Sequence, residues 1–82
     1  MQIKPLRSNL EKYIQKHNLT RKFEKQSHVF TQNPRHPSLH TEALEPKSLK
    51  VYSFRLDRKY RTIFIFVSST EIEIADINSH YK

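Results

Sequence analysis

The sequence predicts an α+β fold in which a pair of helices precedes a small antiparallel sheet. Three observations support this prediction. Apolar residues recur at helical spacing early in the chain, prolines interrupt the middle, and apolar and polar residues alternate in the last third. A length of 82 residues suffices for a single domain, 1–82, with one small core.

The N-terminal segment predicts a short edge strand followed by a helix. Residues 1–4 could form the strand, which Pro5 would end because it has no N–H to donate to a ladder. Apolar residues at positions i, i+3 and i+4 predict a helix over 9–17. Ser8 is the expected N-cap, and Glu11 follows it at the spacing of a capping box.

The next two segments predict a second helix and a long connection. The helix is expected over 20–32 with Thr20 as its cap, and the short link to the first helix predicts an antiparallel helical hairpin. Prolines forbid a continuous helix over 33–50, which we interpret as an ordered loop long enough to carry function. Three leucines of this loop can anchor it to a core: Leu39, Leu44 and Leu49.

The last third predicts a meander of three strands over 51–57, 60–67 and 71–77. The first and third strands alternate apolar and polar residues with a period of two. The middle strand is mostly apolar on both faces, which is typical of a strand in the centre of a sheet. The first turn of this meander falls on Asp57-Arg58-Lys59.

The composition favours a polyanionic partner and excludes several kinds of site. A net charge of +7 suits nucleic acid, an anionic membrane or an acidic protein. The absence of cysteine excludes disulfides and thiol catalysis, and the absence of glycine excludes the phosphate-binding loops of nucleotide enzymes. No apolar run is long enough for a membrane span or a secretory signal, so we expect a soluble cytoplasmic protein. The absence of glycine argues against a nucleotide cofactor, and we expect the protein to use no cofactor.

The candidate site lies on the predicted sheet. Arg55 follows Ser53 by two residues, so both side chains leave the same face of one strand, and Arg61 begins the next strand. A tight turn would bring the two arginines together, and such a pair is tolerated best around a bound anion such as phosphate. The alternative is a solvated basic face, or ion pairs with Glu71 or Glu73.

Two residues near the C-terminus could add proton transfer. His80 carries an imidazole that titrates near neutral pH, and Tyr81 could stack on a base or stabilise charge. A frayed terminus is the alternative. Arg58 and Lys59, in the turn between the first two strands, could contact the phosphates of the same substrate.

Other polar residues of the middle segment have weaker patterns. His36 and His40 have the i, i+4 spacing of metal ligands on a helix, but Pro37 separates them, so surface histidines are the simpler interpretation. Glu42 or Glu45 could supply a general base if the segment folds over the sheet. Otherwise both are solvated carboxylates.

The order of these segments resembles the RelE/ParE superfamily of bacterial toxin–antitoxin toxins over essentially the whole chain. The most specific motifs are Asn33-Pro34 with His36-Pro37-Ser38-Leu39, the strand pair with Tyr60-Arg61, and the terminal His80-Tyr81. The terminal pair is most similar to the YoeB branch. The resemblance implies a microbial-RNase-like fold, with the helical hairpin packed on a small twisted antiparallel sheet.

The resemblance also implies an activity and partners. Active members are endoribonucleases that cut mRNA in the ribosomal A site, by attack of the 2′-hydroxyl on the adjacent phosphate and without a metal ion. They thereby inhibit translation, and an acidic antitoxin silences them. Arg61 would then stabilise the phosphate with Arg55 in support, His80 would protonate the leaving 5′-oxygen, and Glu42 would act as the base. Four further residues are expected to hold the substrate: Tyr81, Ser53, Arg58 and Lys59.

Two other functions remain open at this level. ParE-like toxins share the fold and poison DNA gyrase without catalysing a reaction. Some RelE-like chains lack the catalytic residues, which would leave a basic protein that binds nucleic acid or a partner. The sequence departs from the resemblance in having no tryptophan and in its short first strand.

Overall fold

The computed structural model describes residues 1–79, and in this range two helices and five strands form one α+β unit. The helices are α1 (Ser8–Lys16) and α2 (Thr20–Gln32). The strands are β1 (Gln2–Ile3), β2 (Glu42–Ala43), β3 (Val51–Arg55), β4 (Arg61–Phe66) and β5 (Glu71–Asn78). The predicted fold class is confirmed, and both predicted helices and all three strands of the meander are present.

The sheet is mixed, with the strand order β1-β5-β4-β3-β2. The four C-terminal strands pair antiparallel, and β4 is the central strand, as its apolar pattern predicts. The expectation of a wholly antiparallel sheet is wrong at one edge, because β1 pairs parallel with β5, with Gln2 opposite Glu71. A parallel pair needs a long crossover connection, and here the helices and the other strands supply it.

The core lies between the helices and one face of the sheet. Phe30 of α2 stacks on Phe54 of β3 at a ring separation of 5.2 Å and meets Phe64 of β4 edge to face at the same distance. Because side chains alternate along a strand, the even-numbered residues of β3 and β4 point to this face. The other buried apolar side chains are Leu10, Ile14, Leu19, Leu39, Leu56, Ile72, Ile74 and Ile77.

A bulge in β5 keeps a third isoleucine in the core. Phe64 lies opposite Ile74 and Ile63 lies opposite Asp76, so Ala75 is an extra residue between the two pairs. The extra residue shifts the alternation by one position. Ile77 therefore returns to the helix-facing side of the sheet, where only 1% of it is exposed.

The two helices begin differently from the prediction. Ser8 and Thr20 are the first helical residues, the N-cap positions belong to Arg7 and Leu19, and neither cap has a side-chain hydrogen bond. The predicted capping box of Ser8 and Glu11 is therefore wrong. The link between the two helices fixes the residue at which α2 begins. Leu19, the last residue of this link, is only 1% exposed, and its backbone N–H donates to a carbonyl oxygen of α1.

The segment 33–50 is more regular than the predicted loop. It contains two short 3₁₀ turns, Pro37–Leu39 and Lys47–Leu49, and between them β2 adds an edge strand to the sheet. Two residues are too few to produce a recognisable alternation, which is why the strand escapes sequence analysis. Leu39 is fully buried and Leu44 is half-buried, but Leu49 is 65% exposed, so the expected anchoring by this third leucine is wrong.

Candidate active site

Four of the predicted site residues share the face of the sheet that is turned away from the helices. Residues directly opposite each other on antiparallel strands point to the same face. Glu42 lies opposite Ser53 across the β2–β3 pair, and Arg55 lies opposite Arg61 across the β3–β4 pair. Because Phe54, between Ser53 and Arg55, is in the core, its two neighbours face the other way. We call this surface the open face.

Arg61 is held firmly in the middle of this group. Its Nε donates a hydrogen bond of 2.9 Å to the hydroxyl of Ser53, and its Nη2 donates to the carbonyl oxygen of His40 at 2.6 Å. A longer contact of 3.4 Å joins Nη2 to the carbonyl oxygen of Ser53. Only 3% of Arg61 is exposed, so its guanidinium is held between β3 and the residues before β2.

The segment that supplies the His40 carbonyl is itself tied to the body of the protein. Gln26 is buried in α2, and its Nε2 donates to the carbonyl oxygens of Ser38 at 3.2 Å and of Arg55 at 2.8 Å. His40 has a left-handed backbone with φ 45° and ψ 47°, which costs a non-glycine residue about 1–2 kcal/mol. The chain has no glycine to use there, so the hydrogen bond to Arg61 helps to hold this conformation.

The charges around Arg61 suit an anion and a proton acceptor. Arg55 is half-buried directly opposite Arg61 in the register, so two arginine side chains leave the same face of the sheet at neighbouring positions. Glu42 is exposed and lies one strand further out, opposite Ser53. Ser53 is fully buried, and its hydroxyl accepts a hydrogen bond from Arg61, so Ser53 orients the guanidinium of Arg61.

Arg58 and Lys59 are exposed in the turn between β3 and β4, beyond the paired arginines. Asp57 shapes this turn, because its carboxylate accepts from the backbone N–H groups of Lys59 at 2.8 Å and Tyr60 at 2.7 Å, and from Nζ of Lys22 at 2.7 Å. Burial raises the pKa of Asp57, but these hydrogen bonds lower it by more, and the net pKa falls below its ordinary value.

A cluster of aromatic rings next to this turn escaped sequence analysis. Tyr13 and His17 of α1 have ring centroids 4.3 Å apart, and the hydroxyl of Tyr60 lies 3.3 Å from Nδ1 of His17. Burial raises the pKa of Tyr13, and the nearby Tyr60 and Asp76 raise it further. The i, i+4 spacing of Tyr13 and His17 was the available signal, but their partner comes from a distant strand.

The remaining predicted residues are placed as follows. His80 and Tyr81 lie outside the described residues. Nδ1 of His36 accepts from the backbone N–H of Ser38 at 3.1 Å. Within residues 1–79, no three His, Cys, Asp or Glu side chains come together as a group that could hold a metal ion.

Among the helices described, none is long and apolar enough to cross a membrane.

No protein-family profile matches the sequence, and no curated protein sequence matches it significantly. Solved structures match over nearly their full length. A YoeB/ParE toxin from Agrobacterium tumefaciens superimposes with a TM-score of 0.72 at 15% identity, covering 99% of this chain and 100% of the other. This chain has the fold of the YoeB/ParE toxins.

Two structures from Staphylococcus aureus also have this YoeB/ParE fold. The YoeB dimer matches with a TM-score of 0.71 at 22% identity, over 98% of this chain and 94% of the other. A heterotetrameric YoeB–YefM toxin–antitoxin complex matches with a TM-score of 0.68 at the same identity and coverage. The fold expected from the sequence resemblance is thereby confirmed.

Proposed function

We propose that this protein is a RelE/ParE-superfamily toxin of a type II toxin–antitoxin system, and that it is a ribosome-dependent mRNA endoribonuclease. One observation carries the proposal: Arg61 is buried and oriented by Ser53 and by the His40 carbonyl. Beside it, on the open face of a YoeB/ParE fold, lie a second arginine and a carboxylate. An arginine oriented in this way is preorganised to bind an anion that replaces one of its acceptors.

Arg61 would stabilise the phosphate that is attacked. Transfer through a pentavalent phosphorane adds negative charge to the phosphate oxygens, and a preorganised guanidinium stabilises that charge. Because only 3% of Arg61 is exposed, the substrate gains access when the segment carrying His40 moves. A phosphate oxygen can then replace the His40 carbonyl oxygen, since both are acceptors for Nη2. Arg55 would add a second positive charge.

Glu42 and His80 would transfer the two protons of the reaction. Glu42 would take the proton of the 2′-hydroxyl, whose oxygen then attacks the adjacent phosphorus. His80 would protonate the 5′-oxygen as its bond to phosphorus breaks, which leaves a cyclic phosphate and a free 5′-hydroxyl. Tyr81, Arg58 and Lys59 would hold the RNA, and no step of this scheme uses a metal ion.

The same proposal assigns two partners. The net charge of +7 favours the ribosome-bound mRNA and an acidic antitoxin protein as ligands. The Staphylococcus aureus neighbour occurs as a toxin–antitoxin complex, which supports an antitoxin for this chain as well. Because the proposed substrate is mRNA on translating ribosomes, the protein would act in the cytoplasm.

The test is cleavage of mRNA in a translation extract with ribosomes, read by mapping the new 5′ ends. We expect the wild type to cut within the A-site codon and R61K and H80Q to lower the rate about 100-fold or more, because each loses an interaction with the transition state. Circular dichroism would establish that the variants are folded. The exposed substitution R21K, on α2, should cut like the wild type.

Other outcomes point to the alternative functions. Intact mRNA together with stalled gyrase–DNA complexes would identify a gyrase poison. Intact mRNA without such complexes would identify a binding protein with no activity of its own. Cleavage at an unchanged rate by E42Q would remove Glu42 from the mechanism and leave the assignment of Arg61 intact.

A further inference from the structure

The carbonyl oxygen of His40 lies where the scheme above requires a phosphate oxygen. Nη2 of Arg61 donates to this carbonyl at 2.6 Å, which is shorter than the usual length of about 2.9 Å. Only 3% of Arg61 is exposed, so an anion reaches Nη2 when the carbonyl turns away. The backbone conformation at His40 therefore controls access to Arg61.

The part of the chain that can turn is short and is fixed at both ends. His40 and Thr41 are both exposed. Leu39, before them, is fully buried, and Glu42, after them, begins β2, which pairs with β3. A rotation confined to His40 and Thr41 can therefore move the carbonyl without displacing the core or the sheet. We call these two residues the strap.

Opposing contributions act on the strap in the conformation that the structure shows. His40 has a left-handed backbone with φ 45° and ψ 47°, which its Cβ makes unfavourable. Two hydrogen bonds act against this strain: the one from Arg61 to the His40 carbonyl, and one of 3.2 Å from Oγ1 of Thr41 to the carbonyl oxygen of Pro34. Opening the strap would break both bonds and relieve the strain, so the two arrangements differ by a small balance of free energy.

We propose that the strap is an autoinhibitory contact that closes Arg61 in the free protein and opens when an RNA phosphate replaces the His40 carbonyl; this rests on the proposed nuclease function. A phosphate oxygen is charged, and its hydrogen bond to a guanidinium is stronger than that of a neutral carbonyl. The measured affinity for phosphate is then the affinity of the open form reduced by the fraction of molecules that are open. Phosphates with no other contact to the protein would bind weakly.

The first experiment compares two substitutions of His40 and measures binding without cleavage. H40G and H40A both remove the imidazole and keep the carbonyl, so they differ only in the Cβ. Glycine adopts the left-handed conformation without strain, which stabilises the closed strap, so H40G should bind inorganic phosphate about tenfold more weakly than H40A. A strap that is merely flexible predicts the opposite order, because glycine would loosen it. Equal affinities, or tighter binding by H40G, overturn the proposal.

The readout is the NMR signal of the Arg61 Nε–H group, which donates to Ser53 beside the contact that phosphate would replace. The variant R61K identifies this signal, because lysine has no Nε–H group. Inorganic phosphate should shift it in the wild type, together with the backbone amides of 40–42. Shifts confined to residues away from Arg61 and the strap would show that phosphate binds elsewhere and overturn the proposal.

A second substitution weakens the closed strap. T41V keeps the branched shape of threonine but cannot donate to the Pro34 carbonyl. It should bind inorganic phosphate about fivefold more tightly than the wild type, because one hydrogen bond of the closed form is lost. The matched control T31V removes a similar hydroxyl bond, of 2.7 Å to the His28 carbonyl, and should bind phosphate like the wild type. Unchanged or weaker binding by T41V contradicts the proposal.

Cleavage mapping then distinguishes this inference from the nuclease function. If both hold, H40G requires about tenfold more protein than H40A for half-maximal cleavage of mRNA in the translation extract. Equal requirements, with mRNA cut by both variants, overturn the strap alone. A wild type that cuts no mRNA overturns the nuclease function, and the phosphate titration still decides whether the strap closes Arg61.

Discussion

Nε of Arg61 lies 2.9 Å from the hydroxyl oxygen of Ser53, and both side chains are almost completely buried. A cation so far from water is stable when its donors are satisfied. The serine hydroxyl and two backbone carbonyls provide acceptors on two sides of the guanidinium. This contact fixes the direction of the group that the proposed reaction needs most.

Replacing Ser53 by alanine should lower the free energy of unfolding. The variant S53A leaves the buried Nε–H of Arg61 without its hydroxyl acceptor, which costs about 1–3 kcal/mol of unfolding free energy. Urea denaturation measures this loss. The exposed serine variant S48A should change stability by less than about 0.5 kcal/mol. Equal urea midpoints for S53A and S48A would show that the hydrogen bond contributes nothing.

Replacing Gln26 by leucine should loosen the segment that carries His40. The variant Q26L leaves the carbonyl oxygens of Ser38 and Arg55 without their shared donor, at a cost of about 1–3 kcal/mol. We expect faster hydrogen–deuterium exchange at Leu39 as well as a lower urea midpoint. The control Q32L changes an exposed glutamine at the end of the same helix and should leave exchange at Leu39 unchanged.

Asp57 should make stability depend on pH in the acid range. Its folded-state pKa lies below the ordinary value of 3.8, because the hydrogen bonds from Lys22, Tyr60 and Lys59 outweigh burial. The contribution of ionised Asp57 to the unfolding free energy is therefore complete above pH 3.8 and is lost as the pH falls through the folded-state pKa. Between about pH 5 and about pH 2, the wild type should lose more unfolding free energy than D57N. Equal losses in urea melts would contradict this assignment.

Tyr13 should make stability depend on pH in the alkaline range. Burial and the nearby Tyr60 and Asp76 raise its pKa above the ordinary value of 10.0. The contribution of protonated Tyr13 to the unfolding free energy is complete below pH 10.0 and is lost as the pH rises through the raised pKa. Tyrosinate absorbance sums all four tyrosines of the chain, so the titration of Tyr13 is read as the difference between the wild type and Y13F. The variant Y13F should lose the component that titrates above pH 10.0, and D76N should move it to lower pH.

Long elements with a clear period were predictable from the sequence. The helical spacing over 9–17 and the alternation of β3 are local patterns of apolar residues, and local patterns survive folding when one face is buried. The pairing of Arg55 with Arg61 followed from the short turn between their strands. The capping of α1 was not predictable, because competing backbone bonds to Arg7 satisfy the first turn.

The sequence by itself determined the α+β class, the order of the main elements, the basic charge and the arginine pair. These properties depend on composition and on neighbours in the chain. The tertiary structure alone decided that β1 runs parallel to β5, that β2 joins the sheet, and that the His40 carbonyl meets Arg61. The physical reason is that each of these contacts joins residues distant in the chain, whose positions depend on how the helices and the sheet pack together.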